Sequence, residues 1–297
     1  MQDEFYLTTE EAAAYLRVKT RKLYELATEG RIPCSKVTGK WLFPRAALDR
    51  WIAAGLSRPE GFADRIPPMI AGGSTDPLLE WAVRQSGSGL ASLPEGSEAG
   101  LRRLAADDVA LAAIHLHRAA GDDGDVNAAA VRATPGLHDA VVIAFAKREQ
   151  GIVTAPGNPL GVTSLADAVA KDARVVHRQP GAGARLLLER LLSAGGTGAR
   201  NVRAADGVAS TGQDLALAIR SGGGDWGVVT RAVADTYGLP FQALAWEDFD
   251  LVLRRRTYFE PSLQALMRFL ATPEFHDRAA ALGGYDTTET GTIRLNA

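Results

Sequence analysis

Two short stretches hold the residues best suited to chemistry. Gly73-Ser74-Thr75-Asp76 sets two hydroxyls and several amides just ahead of a helical pattern that starts at Pro77. Gly181-Ala182-Gly183-Ala184-Arg185 sets glycine-flanked amides and one cation ahead of a second helical pattern running to Ala194. Unpaired N–H groups at a helix start, reinforced by the helix dipole, attract an anion, and glycine lets the anion approach the backbone closely. The chemistry these residues suit is the binding of a small anion. Ser74 and Thr75 read either as ligand donors or as helix caps. Arg185 reads either as the partner of the anion or as one half of a surface ion pair. Thr211, in Ser210-Thr211-Gly212, reads as a donor from a second lobe or as the cap of the helix that follows it.

Catalysis is not expected. No Gly-x-Ser-x-Gly elbow occurs, and no histidine is placed beside a candidate nucleophile. His115 and His117 stand two apart, so on a strand they share a face, but the sequence identifies no third ligand and no metal is expected. His115 follows an apolar run and reads as a structural imidazole before a ligand contact. Trp226 and Trp246 read as core, and Asp225 as a turn or cap, because a carboxylate repels an oxyanion. Gly121-Asp122-Asp123-Gly124-Asp125 fits no calcium-loop spacing and reads as a solvated loop. The one cysteine, Cys34, excludes an intrachain disulfide and a cysteine metal cluster, and reads as a structural thiol.

A second kind of chemistry is concentrated near the start of the chain. Thr9, followed by Glu10 and Glu11, is the expected cap of a helix whose inward face is Ala12, Ala13, Tyr15 and Leu16. Thr20 is the expected cap of a second helix with Leu23, Leu26 and Ala27 inward. That leaves Lys19, Thr20, Arg21, Lys22 and Tyr24 at the N-terminal end of a helix able to read bases. Lys36 and Lys40 flank the Thr38-Gly39 turn of a wing, where they would meet phosphate. Through Arg58 the chain holds 10 Lys and Arg against 7 Asp and Glu, while the remainder is acidic. A basic head on an acidic body fits phosphate contact by the head alone.

These elements need a scaffold. The 297 residues suffice for more than one domain. Residues 1–53 read as the winged helix-turn-helix, residues 54–65, rich in Gly and Pro, as a linker, and residues 66–297 as a ligand-binding domain. In the last, apolar runs (Met69–Ala71, Val109–Ile114, Ala140–Phe145, Arg174–Val176, Trp226–Val229) alternate with helical patterns (Pro77–Gln85, Arg185–Ala194, Gln213–Ser221). This predicts an α/β architecture with largely parallel strands. The chain opens acidic rather than basic, unlike a signal peptide, and its longest apolar run is too short for a bilayer, so a cytoplasmic location without membrane contact is expected.

Residues 5–53 resemble the excisionase/MerR-like winged helix-turn-helix family, through Leu7-Thr8-Thr9-Glu10-Glu11-Ala12-Ala13-Ala14-Tyr15-Leu16, Gly30-Arg31-Ile32-Pro33, Gly39-Lys40-Trp41 and Leu48-Asp49-Arg50-Trp51. From about Ile66 onward the chain resembles a periplasmic binding protein type II-like domain of the molybdate-binding-related branch found fused to helix-turn-helix heads. The residues that carry this are Gly73 to Leu79, Ala113-Ile114-His115-Leu116, Asn127, Arg178 to Arg185, Asp225-Trp226-Gly227, Ala245 to Leu251 and Gly283-Gly284-Tyr285-Asp286.

The resemblance implies two α/β lobes joined by crossing strands and closing on an oxyanion effector, molybdate or tungstate, held by Ser74, Thr75, His115, Ala182, Gly183, Ala184, Arg185 and Thr211. One departure matters: relatives often have Ser and Thr where this chain has Ala182 and Ala184, so two hydroxyl donors are missing. Head and body together imply a one-component transcriptional regulator that binds double-stranded DNA as a homodimer or higher homo-oligomer. The alternatives are a regulator of another small anion and a scaffold that binds no DNA and has an empty cleft.

Overall fold

In the computed structural model, residues 6–36, 39–55, 66–117, 125–196, 198 and 202–297 are described. The chain divides into two units, Met1–Phe62 and Ala63–Ala297. Most of the expected linker, the Thr38 side of the wing turn, and Gly121 to Gly124 of the acidic loop lie outside the described residues.

The head contains β1 (Tyr6–Leu7), α1 (Thr9–Tyr15), α2 (Thr20–Thr28), β2 (Phe43–Pro44) and α3 (Arg45–Ala54). The cap of α1 is Thr8, one residue before the expected Thr9. Thr8 and Glu11 are three apart, so each backbone N–H donates to the other's side chain and two orphan amides are satisfied at once. The cap position of α2 is Lys19, which makes no side-chain cap bond, so Thr20 is the first helical residue rather than the cap. Leu7, Ala12, Ala13, Leu23, Ala27, Ile32, Phe43 and Leu48 form the core of the head. Tyr15, expected inward, is exposed, because its hydroxyl donates to Asp49 on α3. An antiparallel bridge between Ser35 and Leu42 starts the wing, and β1 pairs antiparallel with β2. Burial pushes the half-buried Cys34 thiol up, away from the reactive thiolate.

The second unit runs β3 (Ile70–Gly73), α4 (Pro77–Gln85), β4 (Ala91–Pro94), α5 (Ser97–Ala105), β5 (Leu111–Ile114), α6 (Val126–Ala133) and β6 (Ala140–Thr154). It continues through α7 (Leu165–Ala170), β7 (Val175–Arg178), α8 (Gly183–Ala194), β8 (Ala204–Ala209), α9 (Gly212–Arg220), β9 (Trp226–Thr230), α10 (Arg231–Tyr237) and β10 (Phe241–Arg254). It ends with α11 (Pro261–Leu270), α12 (Pro273–Leu282), β11 (Tyr285–Asp286) and β12 (Ile293–Asn296). The strand order is β4-β3-β5-β10-β6-β9-β7-β8, with β11 and β12 also on β6.

Parallel pairing holds only within each end: β3 with β4 and β5, and β7 with β8 and β9. The centre is antiparallel, through β5–β10, β10–β6 and β6–β9, so the expectation of a largely parallel sheet gives way to a mixed one. The reason is that β6 and β10, 15 and 14 residues long, run through both lobes side by side. At about 3.3 Å per residue each spans roughly 45–50 Å, two ordinary strands end to end. The lobe around β3–β5 is filled by two apolar clusters, one built on Phe145, Phe249, Phe275 and Leu266, the other on Val109, Ile114, Val142 and Val252. The lobe around β7–β9 is filled by Val175, Leu187, Trp226 and Val228 on one face and Val153, Leu215, Ile219 and Val229 on the other. No helix among the described residues is long and apolar enough to cross a membrane.

Candidate functional site

A cleft opens where the two lobes face each other across the crossing strands. It is lined by Ser74, Thr75 and His115 from one lobe, Arg148 and Gln150 from β6, and Arg178, Ala184, Gly212, Gln213 and Thr230 from the other lobe. Its cavity is about 20 Å³, room for a water or little more. Three wall elements start there as helices. Asp76 caps α4, its Oδ1 accepting from the Leu78 and Leu79 amides at 2.9 and 3.2 Å. Thr211 caps α9 by accepting from the Asp214 amide at 3.0 Å. The Gly183 end of α8 forms the third.

The turn into α4 is fixed by a close approach of backbone. Gly73 has φ +92°, and a Cβ there would stand 2.3 Å from the Ala113 carbonyl. Only glycine fits, which is why the Gly72-Gly73 pair precedes Ser74.

The expected site residues divide once placed. Ser74 lines the cleft, but its hydroxyl is hydrogen-bonded to the Ser97 hydroxyl at 2.9 Å. Thr75 lines the cleft, and Asp76, not Ser74 or Thr75, caps the helix. His115 lines the cleft, and Ala184 does so through its first-turn position on α8. Ala182 and Gly183 are buried against the opposite lobe: Gly96 lies against Ala182, and a Cβ on Gly183 would stand 2.1 Å from the His115 carbonyl. They are the contact surface between the lobes.

Arg185 does not line the cleft. Its Nε donates to Glu189 at 2.8 Å and its Nη1 to the Arg178 carbonyl at 3.1 Å, because a residue two past the start of α8 points along the helix rather than off its end. Thr211 is engaged in capping, and its successors Gly212 and Gln213 line the cleft instead. Asn127 holds a strand end: its Oδ1 accepts from the Leu116 amide at 2.9 Å and its Nδ2 donates to Asp250 at 2.7 Å. Trp226 is core, with Nε1 donating to the Ala173 carbonyl, whereas Trp246 is exposed. Asp225 pairs with Arg174 at 3.0 Å.

Four residues left without a role by the sequence reading dominate the site. Arg148, 2% exposed, donates through Nε to Glu247 at 2.6 Å and through Nη1 to Asp76 at 2.9 Å, and lies over the Phe249 ring. Gln150 donates through Nε2 to the same Glu247 oxygen at 2.9 Å, which leaves its Oε1 buried without a partner. Thr230 Oγ1, also in the wall, is likewise unpartnered.

Arg178 is the fourth. It donates only to the carbonyls of Ala209 and Ser210 and makes no ion pair with any described residue. Burial, with the charge of Arg148 adding to it, pulls its guanidinium down to about 10. Burial and Arg148 also bring His115 down to about 4, so its ring is neutral. Burial pushes Glu247 up, but His115 and Arg148 outweigh it and hold the carboxyl well below its usual range. A signal for these residues existed. Arg148 and Gln150 alternate, as strand residues sharing a face do, and Arg178 stands at the carboxyl end of an apolar run, where α/β sheets place ligands.

The comparisons with known proteins agree with this architecture. The family described as a PBP superfamily domain matches residues 79–271. A helix-turn-helix domain family matches residues 6–55. Over 311 aligned positions the chain is 23% identical to the uncharacterized protein YvgK of Bacillus subtilis strain 168, covering 99% of each. Among solved structures, a phosphate ABC transporter substrate-binding protein from Clostridium perfringens with bound phosphate superposes with TM-score 0.52 at 12% identity, covering 72% of this chain and 96% of that one. PhnD1 from Prochlorococcus marinus in complex with methylphosphonate superposes with TM-score 0.51 at 14% identity, covering 74% and 92%. At these identities the likeness concerns the two-lobed fold.

Proposed function

The chain belongs to the PBP superfamily, and from that membership we propose that it is a one-component transcriptional regulator whose cleft senses a small oxyanion. A helix-turn-helix head joined to a PBP domain fits a transcription regulator with a small-molecule effector. The observation that carries the anionic reading is Arg178. A guanidinium drawn down by burial, held among the described residues only by neutral carbonyls and facing a cleft, is stabilised by an entering negative charge. Thr75, the Thr230 hydroxyl and the amides at the starts of α8 and α9 supply further donors around it. A tetrahedral oxyanion needs more room than the cavity of about 20 Å³ gives, so the lobes must part to admit one, and an inorganic ion requires a smaller opening than a metabolite. Within that class the resemblance of the sequence favours molybdate or tungstate.

In the head, Arg21, Lys22 and Tyr24 are exposed on α2 and would face the major groove, with Lys19 and Thr20 at its start. Lys36, stacked over Trp41, and Lys40 would contact phosphate. A homodimer on a two-fold operator in the cytoplasm completes the proposal, with no catalytic step. Effector binding acts only by favouring one of two states that differ in operator affinity.

Calorimetry on the purified chain with molybdate, tungstate, sulfate, phosphate and methylphosphonate tests the cleft. Heat of one-site binding with at least one of them is expected, and none with any removes the oxyanion reading. Mobility shift with genomic fragments at low salt tests the head, and a chain that retards no fragment is not the regulator proposed.

A further inference from the structure

His115 and His117 leave the end of β5 on one face, and a third donor reaches them from 130 residues further along the chain. Glu247 Oε2 is 3.1 Å from His115 Nδ1 and 2.8 Å from His117 Nε2. The three groups' donor atoms all lie within 4.8 Å of one another. Ligands held about 2.0–2.2 Å from one ion stand roughly 3 Å apart when adjacent and roughly 4 Å apart when opposite. Small rotations of the two rings therefore suffice to bring the three donors onto a common point.

We propose that His115 Nδ1, His117 Nε2 and Glu247 Oε2 form a binding site for a divalent transition-metal ion of the zinc, cobalt and nickel class. Imidazole nitrogens with one carboxylate suit that class, and the three leave positions open for water. Each imidazole can offer the named nitrogen to the ion when its proton sits on the other ring nitrogen.

Two features distinguish this from a histidine pair that is merely hydrogen-bonded. The first is charge. Asp76 and Glu247, both buried, share the single guanidinium of Arg148. Asp76 is also met by the Leu78 and Leu79 amides and the Tyr285 hydroxyl, whereas Glu247 Oε2 faces the two imidazoles, so a further cation there offsets the buried charge that Arg148 leaves. An ion on Oε2 meets it on the side of Glu247 away from the arginine.

The second is the surrounding support. Arg148 Nε and Gln150 Nε2 both donate to Glu247 Oε1, which fixes the carboxylate with Oε2 toward His117 and with His115 Nδ1 3.0 Å from Oε1 and 3.1 Å from Oε2. Ser97 Oγ accepts from the His115 amide and donates to its carbonyl, both at 3.0 Å, and Asn127 accepts from the Leu116 amide between the two histidines. Metal sites use such outer contacts to hold their ligands. His115 and Glu247 are buried while His117 is partly exposed, so an ion can enter from the His117 side.

The test uses the full chain, stripped with chelator and titrated with zinc and with cobalt(II). One ion per chain is expected, with visible cobalt absorption bands. His117→Asn is expected to weaken binding at least about tenfold. His138→Ala and His276→Ala are expected to leave the metal affinity unchanged. X-ray absorption at bound zinc in the unaltered protein should show two imidazole nitrogens, which keeps the assignment testable if a variant folds poorly. Absence of saturable binding, affinity unaltered by His117→Asn, or a zinc shell without imidazole would each overturn the proposal. None of these readouts depends on which anion enters the cleft.

Discussion

Arg148 and Glu247 are register partners on the two crossing strands, and their ion pair closes at 2.6 Å between residues 2% and 6% exposed. The strands that join the lobes are thus locked at their midpoint by a buried charge pair, with Asp76 as a third member. Removing the cation strands two carboxylates away from water. Arg148→Met is expected to destabilise the chain by about 3–5 kcal/mol, measured by urea denaturation of the second unit. A loss under 1 kcal/mol, near the value of an exposed pair, would show that the carboxylates are already satisfied without Arg148.

Arg178 and Arg185 stand seven apart, and their roles separate. Arg178 faces the cleft without an ion pair, whereas Arg185 is tied to Glu189 on the same helix. Arg178→Gln should weaken anion binding by about 1.5–3 kcal/mol, the range of a hydrogen bond to a charged group. It should not lower the melting temperature of the ligand-free protein, because the charge removed is half-buried and uncompensated. Arg185→Gln should leave affinity within about twofold. Calorimetry on both variants decides, and the reverse ranking would move the anion site toward the start of α8.

The lobes touch where Gly183 meets His115. A Cβ at Gly183 would lie 2.1 Å from the His115 carbonyl and 2.3 Å from its Nδ1, with no flexible chain end to yield on the carbonyl side. Gly183→Ala should therefore hold the lobes apart while each keeps its own core. We expect anion affinity to fall at least tenfold, about 1.4 kcal/mol, and small-angle scattering to show no compaction on adding ligand. Undiminished compaction would mean that closure does not pass through this contact.

How far the sequence is legible follows from what periodicity can see. The helix Pro77–Gln85 is read residue for residue, because proline marks its first turn and its apolar face repeats regularly. The strand beginning at Ala140 is read only as far as Phe145, although it continues to Thr154. Its second half opens Lys147-Arg148-Glu149-Gln150, and charges normally end a buried strand. Here they continue it, because Arg148 and Gln150 find Glu247 inside the sheet. A partner 99 residues away leaves no trace in local spacing. The glycine stretches are visible as turns, but whether the residue beside each one points into the cleft depends on the helix start. That is why Arg178 and Gly212 hold wall positions expected of Arg185 and Thr211.

Among the described residues Arg21 is held only by Glu25 at 3.4 Å, and Lys22 by the same carboxylate at 3.6 Å, both at exposed positions. Such pairs exchange readily for phosphate or base contacts. If Lys22 contacts phosphate, Lys22→Ala should reduce the slope of log affinity against log salt by about 1, uniformly across operators. If Arg21 reads a base, Arg21→Ala should cost about 1–3 kcal/mol and relax preference at one position. Fluorescence anisotropy at several salt concentrations separates the two, and unchanged slopes for both would take α2 out of the groove.

Asp250 provides a pH signature of the fold. It is fully buried between Asn127 Nδ2 at 2.7 Å and Arg294 Nε at 3.0 Å. Burial raises its carboxyl from 3.8 to about 7, against the opposing pull of those two partners. A carboxyl raised on folding contributes stability that is fully present below its unfolded value near 4 and is lost as pH rises through about 7. The whole displacement corresponds to no more than about 4 kcal/mol. Asp250→Asn keeps an oxygen for Asn127 but cannot ionise. The melting temperature of the unaltered chain should therefore fall, relative to that of Asp250→Asn, between pH 5 and pH 8. If it rises over that interval instead, the Arg294 ion pair outweighs burial and the carboxylate is charged throughout.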